Sequence, residues 1–111
     1  MSEQTQSDKE AEKRKNAPWI PMSVPIDIKH LGKLGEEICE TGKVLFRALI
    51  QGIDEQEPDS PLTNKERLED EIGDVLANIE LVIGHFNLDL KKIQARKEKK
   101  KALLKPWHNA L

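Results

Sequence analysis

Between Asp27 and Gln51, the positions Ile28, Leu31, Gly35, Ile38, Gly42, Leu45 and Leu49 recur at steps of three and four. That spacing lines one face of a helix and predicts a helix over this span. A glycine in a helix interior costs about 1 kcal/mol relative to alanine, so Gly35 and Gly42 on the stripe point to close approach by a neighbouring helix. Gly52 follows as the natural C-terminal cap. A second helix is predicted from Asn64 to Phe86, with Leu68, Ile72, Val75, Ile79, Val82 and Phe86 as its stripe. Thr63 with Glu66 three positions on reads as its capping box, and Asn87 as its stop. A third helix, from Asp89 to Leu104, has a narrow apolar face of Leu90 and Ile93 and is otherwise largely basic. Pro106 is expected to end it and Trp107 to dock the tail.

The remaining stretches carry no helical pattern. Residues 1–16 lack an apolar face and are expected to be a mobile charged segment ahead of a single domain over residues 17–111. Pro18, Pro21 and Pro25 exclude a helix around Trp19 and Met22, so an extended segment packing Trp19 onto the body is expected. Residues 52–62 read as a polar loop with Pro58 and Pro61. No strand pattern competes, and the fold class is all-α: three main helices per chain. A chain of 111 residues buries only about 60–65% of the surface its unfolded form exposes. Three such helices leave an apolar face uncovered, which implies that oligomerisation completes the bundle.

Charge adds a local feature. The net charge is −2 and charged residues make up 34% of the chain. Acidic residues gather at 36–40, 54–59 and 66–74, and basic ones at 91–101. An acidic centre beside a basic flank suits a divalent metal with a phosphate ligand, and equally suits salt-bridged helices. The negative balance and the lack of aromatics among Lys91, Lys92, Arg96, Lys97, Lys99, Lys100 and Lys101 argue against nucleic-acid binding. Cys39 is the single cysteine, and His30, His85 and His108 are far apart in sequence, so no zinc spacing exists. The polar N-terminus and the lack of a membrane-length apolar run point to a soluble, cytoplasmic protein.

The candidate chemistry flanks the stripes. Glu37 and Glu40 are three apart and share a face beside the Ile38/Gly42 seam. Glu71 and Asp74 are three apart on the second helix, with Glu71 about 40° around from Val75. Antiparallel packing of the two helices brings the pairs together. Four converging carboxylates either protonate or gather a cation, and an all-oxygen set favours Mg²⁺, or Mn²⁺ in its place, over zinc. Each pair alone is also a common feature of solvated helices.

The run Gly35-Glu36-Glu37-Ile38-Cys39-Glu40, followed by Glu71-Ile72-Gly73-Asp74, resembles the EExxE…ExxD signature of the MazG-like all-α nucleotide pyrophosphohydrolases. The likeness extends over residues 26–105. It implies Mg²⁺ bound by Glu37, Glu40, Glu71 and Asp74, with Glu36 in support, and hydrolysis of a (deoxy)nucleoside triphosphate to its monophosphate and pyrophosphate. It also implies a phosphate-facing lysine on the third helix, matched here by Lys97. One turn on, Lys101 stands where many members have asparagine. A homodimer or homotetramer with sites near subunit interfaces is implied too. The phrases Val24–Gly35 and Ala77-Asn78-Ile79-Glu80 resemble the short phage members that take dATP and dGTP, which implies a host-cytoplasm enzyme with a purine preference.

On this reading water is the nucleophile, a carboxylate such as Glu36 or Glu40 is the base, and Lys97 with its basic neighbours offsets the charge of the leaving pyrophosphate. Asn78, one turn beyond Asp74, is a candidate contact to sugar or base, with an interhelical hydrogen bond as its plainer role. Trp19 is a candidate stacking partner for a purine or else an anchor of the N-terminal segment. Arg47 and Arg67 read as ion-pair partners and Cys39 as a small core residue. The rival readings are a related phosphohydrolase for dUTP, dCTP or phosphoribosyl-ATP, and a non-catalytic helical interaction module.

Overall fold

The computed structural model describes residues 5–110. It is all-helical, with α1 over Gln6–Asn16, α2 over Pro25–Gln51, α3 over Asn64–His85 and α4 over Leu90–Asn109. α1 was not expected. The Thr5 hydroxyl caps it by accepting from the Asp8 N–H at 3.0 Å, and Lys13, Arg14 and Lys15 oppose the dipole at its other end. Local capping and charge therefore make a helix with no apolar face, and none of its residues is buried. Residues 1–4 of the expected mobile segment lie outside the described residues.

α2 opens with Pro25 at its first turn, where a missing N–H is harmless. It ends at Gly52, whose φ of 108° only glycine adopts freely and whose N–H reaches the Ala48 carbonyl at 2.8 Å. The Thr63–Glu66 capping box starts α3 as expected. At its far end Asn87 has φ 50° and donates to Gly84 O, while the Leu88 N–H donates to Ile83 O at 3.0 Å. These two bonds form a Schellman stop with asparagine in place of glycine. Pro106 does not end α4, which continues to Asn109. A proline so near the last turn deletes one backbone bond and leaves little helix to break.

α2 and α3 form an antiparallel hairpin, and they are the one helix pair with extensive packing among the described residues. The positions of α2 that lose exposure are Asp27, His30, Leu34, Glu37, Thr41, Val44, Ala48 and Gln51, with Gly42 and Arg47 beside them. This is a three-four pattern, but it is not the predicted stripe. Ile28, Leu31, Ile38, Leu45 and Leu49 are all exposed. A Cβ added at Gly35 or Gly42 meets nothing within 4 Å, so among the described residues no neighbouring helix approaches them. On α3 the predicted stripe holds, with Val82 buried and Leu68, Val75, Ile79 and Phe86 half-buried, while Ile72 is exposed.

The connection between the two helices is tied down. Asn64 is fully buried and its amide donates to the Gly52 carbonyl at 2.8 Å and to Gln51 Oε1 at 3.2 Å. Glu57 lies 2.7 Å from Arg47 and 3.1 Å from Arg67, holding the loop to both helices. At the open end of the hairpin Asp27 Oδ1 sits 2.6 Å from His85 Nε2, and the His30 and His85 rings stack at 4.2 Å.

The rest projects from this hairpin. Every residue of α4 is exposed, Trp107 does not dock the tail, and Trp19 is 97% exposed instead of packed on the body. The radius of gyration is 20.3 Å, against about 13 Å for a compact chain of this length. The accessible surface is 9786 Å² for 12.6 kDa, where a compact monomer exposes about 6200 Å². Among the described residues no helix is long and apolar enough to cross a membrane.

Candidate metal centre

Glu37 falls on the inward face of α2, in register with Leu34, Thr41 and Val44, and so is carried into the hairpin seam. It is 7% exposed. α3 runs antiparallel and brings Glu71 and Asp74 opposite. The Thr41 hydroxyl spans the two helices, donating to the Glu37 carbonyl at 2.8 Å and lying 3.5 Å from the Glu71 carbonyl. One carboxylate oxygen each from buried Glu37, half-buried Glu71 and exposed Asp74 lie within 4.8 Å of one another.

Lys33 Nζ, one turn back on α2, lies 3.2 Å from Glu37 Oε1 and 3.5 Å from Glu36 Oε1. The other oxygens, Glu37 Oε2 and Glu71 Oε2, are buried without a hydrogen-bond partner. Taking an ionised carboxylate oxygen out of water without a partner is costly. The arrangement therefore suits a cation between them, and these three residues could hold a metal ion. The donors are all oxygen, the set a hard cation takes.

The electrostatics agree. The like charge of Glu37, then partial desolvation, then Glu36 and Glu71, hold the Glu40 carboxyl above the usual carboxylate range. The hydrogen bond with Glu37, reinforced by the charges of Glu36 and Glu37, holds the Lys33 ammonium above its ordinary value. Negative charge thus accumulates at this point of the seam, with one lysine to offset it.

The structure brings together three of the four expected ligands. Glu40 is exposed and stands outside the group, close enough to feel its field. Glu36 is exposed beside Lys33. The Asn78 amide does not cross to the other helix; it donates to the Asp74 carbonyl one turn back at 2.9 Å. Lys97 and Lys101 are on α4, which does not pack extensively on the hairpin, and Lys101 lies 3.6 Å from Glu98. Within one chain they are not part of the centre, and neither is the outward-pointing Trp19. Arg47 and Arg67 do form the expected ion pairs, and Cys39 is exposed, not a core residue.

Sequence reasoning missed Lys33 and Thr41. Lys33 precedes Glu37 by four and Glu36 by three, the spacings at which helix side chains meet, so its pairing was there to be read. Thr41 carried no signal, since its role depends on the register of α3. Comparison with protein-family models, with curated proteins and with solved structures returns no match.

Proposed function

We propose that this chain is a Mg²⁺-dependent nucleoside triphosphate pyrophosphohydrolase of the MazG-like kind. The observation that carries the reading is the convergence of Glu37, Glu71 and Asp74, from two separate motifs, with buried oxygens on Glu37 and Glu71 left without a proton donor. Those three residues hold the ion, and Mn²⁺ can replace it. A bound Mg²⁺ supplies Lewis-acid polarisation of phosphate oxygens and acidifies a water.

The chain's own residues do the rest. Glu40 borders the cluster and forms no ion pair among the described residues, which suits it to accept the proton of the attacking water, ahead of Glu36, which is paired with Lys33. Water attacks the α-phosphorus, the bond to the bridging oxygen breaks, and pyrophosphate leaves. The substrate is a purine deoxynucleoside triphosphate, dGTP or dATP, by resemblance of the 24–35 and 77–80 segments to the phage members.

The same reading takes a second copy of the chain, as a homodimer or homotetramer. The exposed stripe of α2 with its two open glycines, and a surface far above that of a compact monomer, support it. Apposed copies let α4 of one carry Lys97 and Lys101 toward the phosphates bound by another.

The test is hydrolysis of the four dNTPs and four NTPs with Mg²⁺ or EDTA, alongside Glu71→Gln. The expected outcome is monophosphate and pyrophosphate with Mg²⁺ only, reduced about a hundredfold or more in the variant, the scale of losing one preorganised electrostatic group. Diphosphate and orthophosphate as products overturn the attack at the α-phosphorus. No turnover by folded protein overturns the enzyme and leaves a helical interaction module, which the exposed α2 stripe also favours.

A further inference from the structure

A groove of about 250 Å³ runs along the hairpin beside the carboxylates. Ile26, Lys29, His30 and Lys33 of α2 form one wall, and Asn78 and Leu81 of α3 the other. Lys33 thus faces two ways: its ammonium touches Glu37, and its side chain lines the groove. Lys29, one turn away, forms no ion pair among the described residues. The exposed lining of the groove is largely apolar, and Lys29 and Lys33 bring two ammonium groups to one wall of it, next to a carboxylate group suited to a cation.

Lys33 and a divalent cation compete for one carboxylate. Like charges within a few ångströms repel, so a metal ion shared by Glu37 and Glu71 displaces the ammonium. The lysine side chain is half exposed, and its four-carbon stem lets the charge move without the helix moving. Its side chain already lines the groove, so the displaced charge can swing to that wall, beside Lys29. A metal-bound polyphosphate still carries net negative charge there, and an ammonium hydrogen-bonds phosphate oxygens strongly.

Building on the proposed hydrolase reading, we propose that Lys33 is a two-position residue: counterion of Glu37 in the metal-free chain, and ligand of the nucleotide's phosphates, with Lys29, once the carboxylates hold a metal. This assigns the phosphate contact to α2 of the same chain, in addition to the lysines of α4. The proposal gives a metal affinity and a nucleotide affinity that move in opposite directions when Lys33 is lost.

The experiment measures Mn²⁺ binding by electron paramagnetic resonance without nucleotide. It then measures binding of α,β-methylene-dGTP, which is not cut at the scissile position, at saturating Mn²⁺. Wild type, Lys33→Met, Lys33→Arg and Glu71→Gln are compared, each checked by circular dichroism. Expected are Mn²⁺ binding several-fold tighter in Lys33→Met, analogue binding roughly tenfold weaker, the scale of one charge-assisted hydrogen bond, and substantial recovery of analogue binding in Lys33→Arg. Unchanged analogue binding in Lys33→Met, or a parallel loss of Mn²⁺ and analogue, overturns the role of Lys33 while Mn²⁺ binding lost in Glu71→Gln keeps the metal centre standing. No Mn²⁺ binding by wild type overturns both.

Discussion

Val44 and Leu45 are neighbours on α2, yet Val44 is 3% exposed and Leu45 is 50% exposed. They belong to two faces of one helix, about 100° apart. The inward face packs on α3 and is mixed: Leu34, Val44 and Ala48 alternate with Asp27, His30, Glu37, Thr41 and Gln51. The outward face is the more apolar of the two, with Ile28, Leu31, Ile38, Leu45 and Leu49. A helix normally buries its most apolar stripe. Here the hairpin buries the face that carries chemistry, because Glu37 and Thr41 must meet Glu71, and leaves the greasier face open. The difference separates two faces: the inward seam brings the carboxylates together, and the outward seam stays open, which the proposed second copy would cover.

The comparison breaks most sharply on the outward face. Ile38→Glu with Leu45→Glu places two charges in the proposed contact between copies. Each buried apolar side chain of this size contributes about 1.5–3 kcal/mol, and burying an unpaired carboxylate adds to the loss. Light scattering after size exclusion is expected to give a dimer or tetramer for the wild type and 12.6 kDa for the variant, with lower helicity at equal concentration. Equal masses for the two proteins end the idea that copies meet on this stripe.

Val44→Ala tests the inward face one residue away. Val44 and Val82 are the only buried apolar side chains among the described residues, so little else holds the seam. Losing two methyl groups there is expected to cost about 2 kcal/mol per chain in urea unfolding, with the oligomer mass unchanged. A variant that dissociates without loosening the hairpin would invert the assignment of the two faces.

Much of this was legible in the chain. The Thr63–Glu66 box, the Gly52 cap and the Asn87 stop are set by residues within a few positions of each other, and local chemistry decides them. The convergence of Glu37 with Glu71 and Asp74 followed from two three-residue spacings and an antiparallel hairpin. What failed required knowing which body, if any, covers a given face. The three-four apolar pattern of α2 identified an apolar face but not whether α3 covers it, so Gly35 and Gly42 were expected to touch a neighbouring helix. Trp19 and Trp107 failed for the same reason: large apolar side chains were given a body to pack on, and the hairpin is too small to offer one. Glu40 shared a face with Glu37 by spacing, yet a three-residue step spans about 60° of the helix, enough to leave one inside the seam and the other outside.

The smallest predicted effect uses that 60° difference. The Glu40 carboxyl is held above its ordinary value of 4.5 chiefly by the charge of Glu37, so the folded chain takes up this proton more readily than the unfolded one. Ionised Glu40 therefore opposes folding above its folded pKa, and the opposition is gone once pH falls below the unfolded value. Glu40→Gln is expected to raise the melting temperature slightly at neutral pH in EDTA. The gain should fade as pH drops through the upper carboxylate range. With saturating Mg²⁺ it should shrink even at neutral pH, because a cation on Glu37 and Glu71 cancels the field that Glu40 feels. Calorimetry across pH, with and without Mg²⁺, measures all three. A gain that ignores Mg²⁺ would mean that the ion does not sit beside Glu40, and that the field at the border of the two faces has another source.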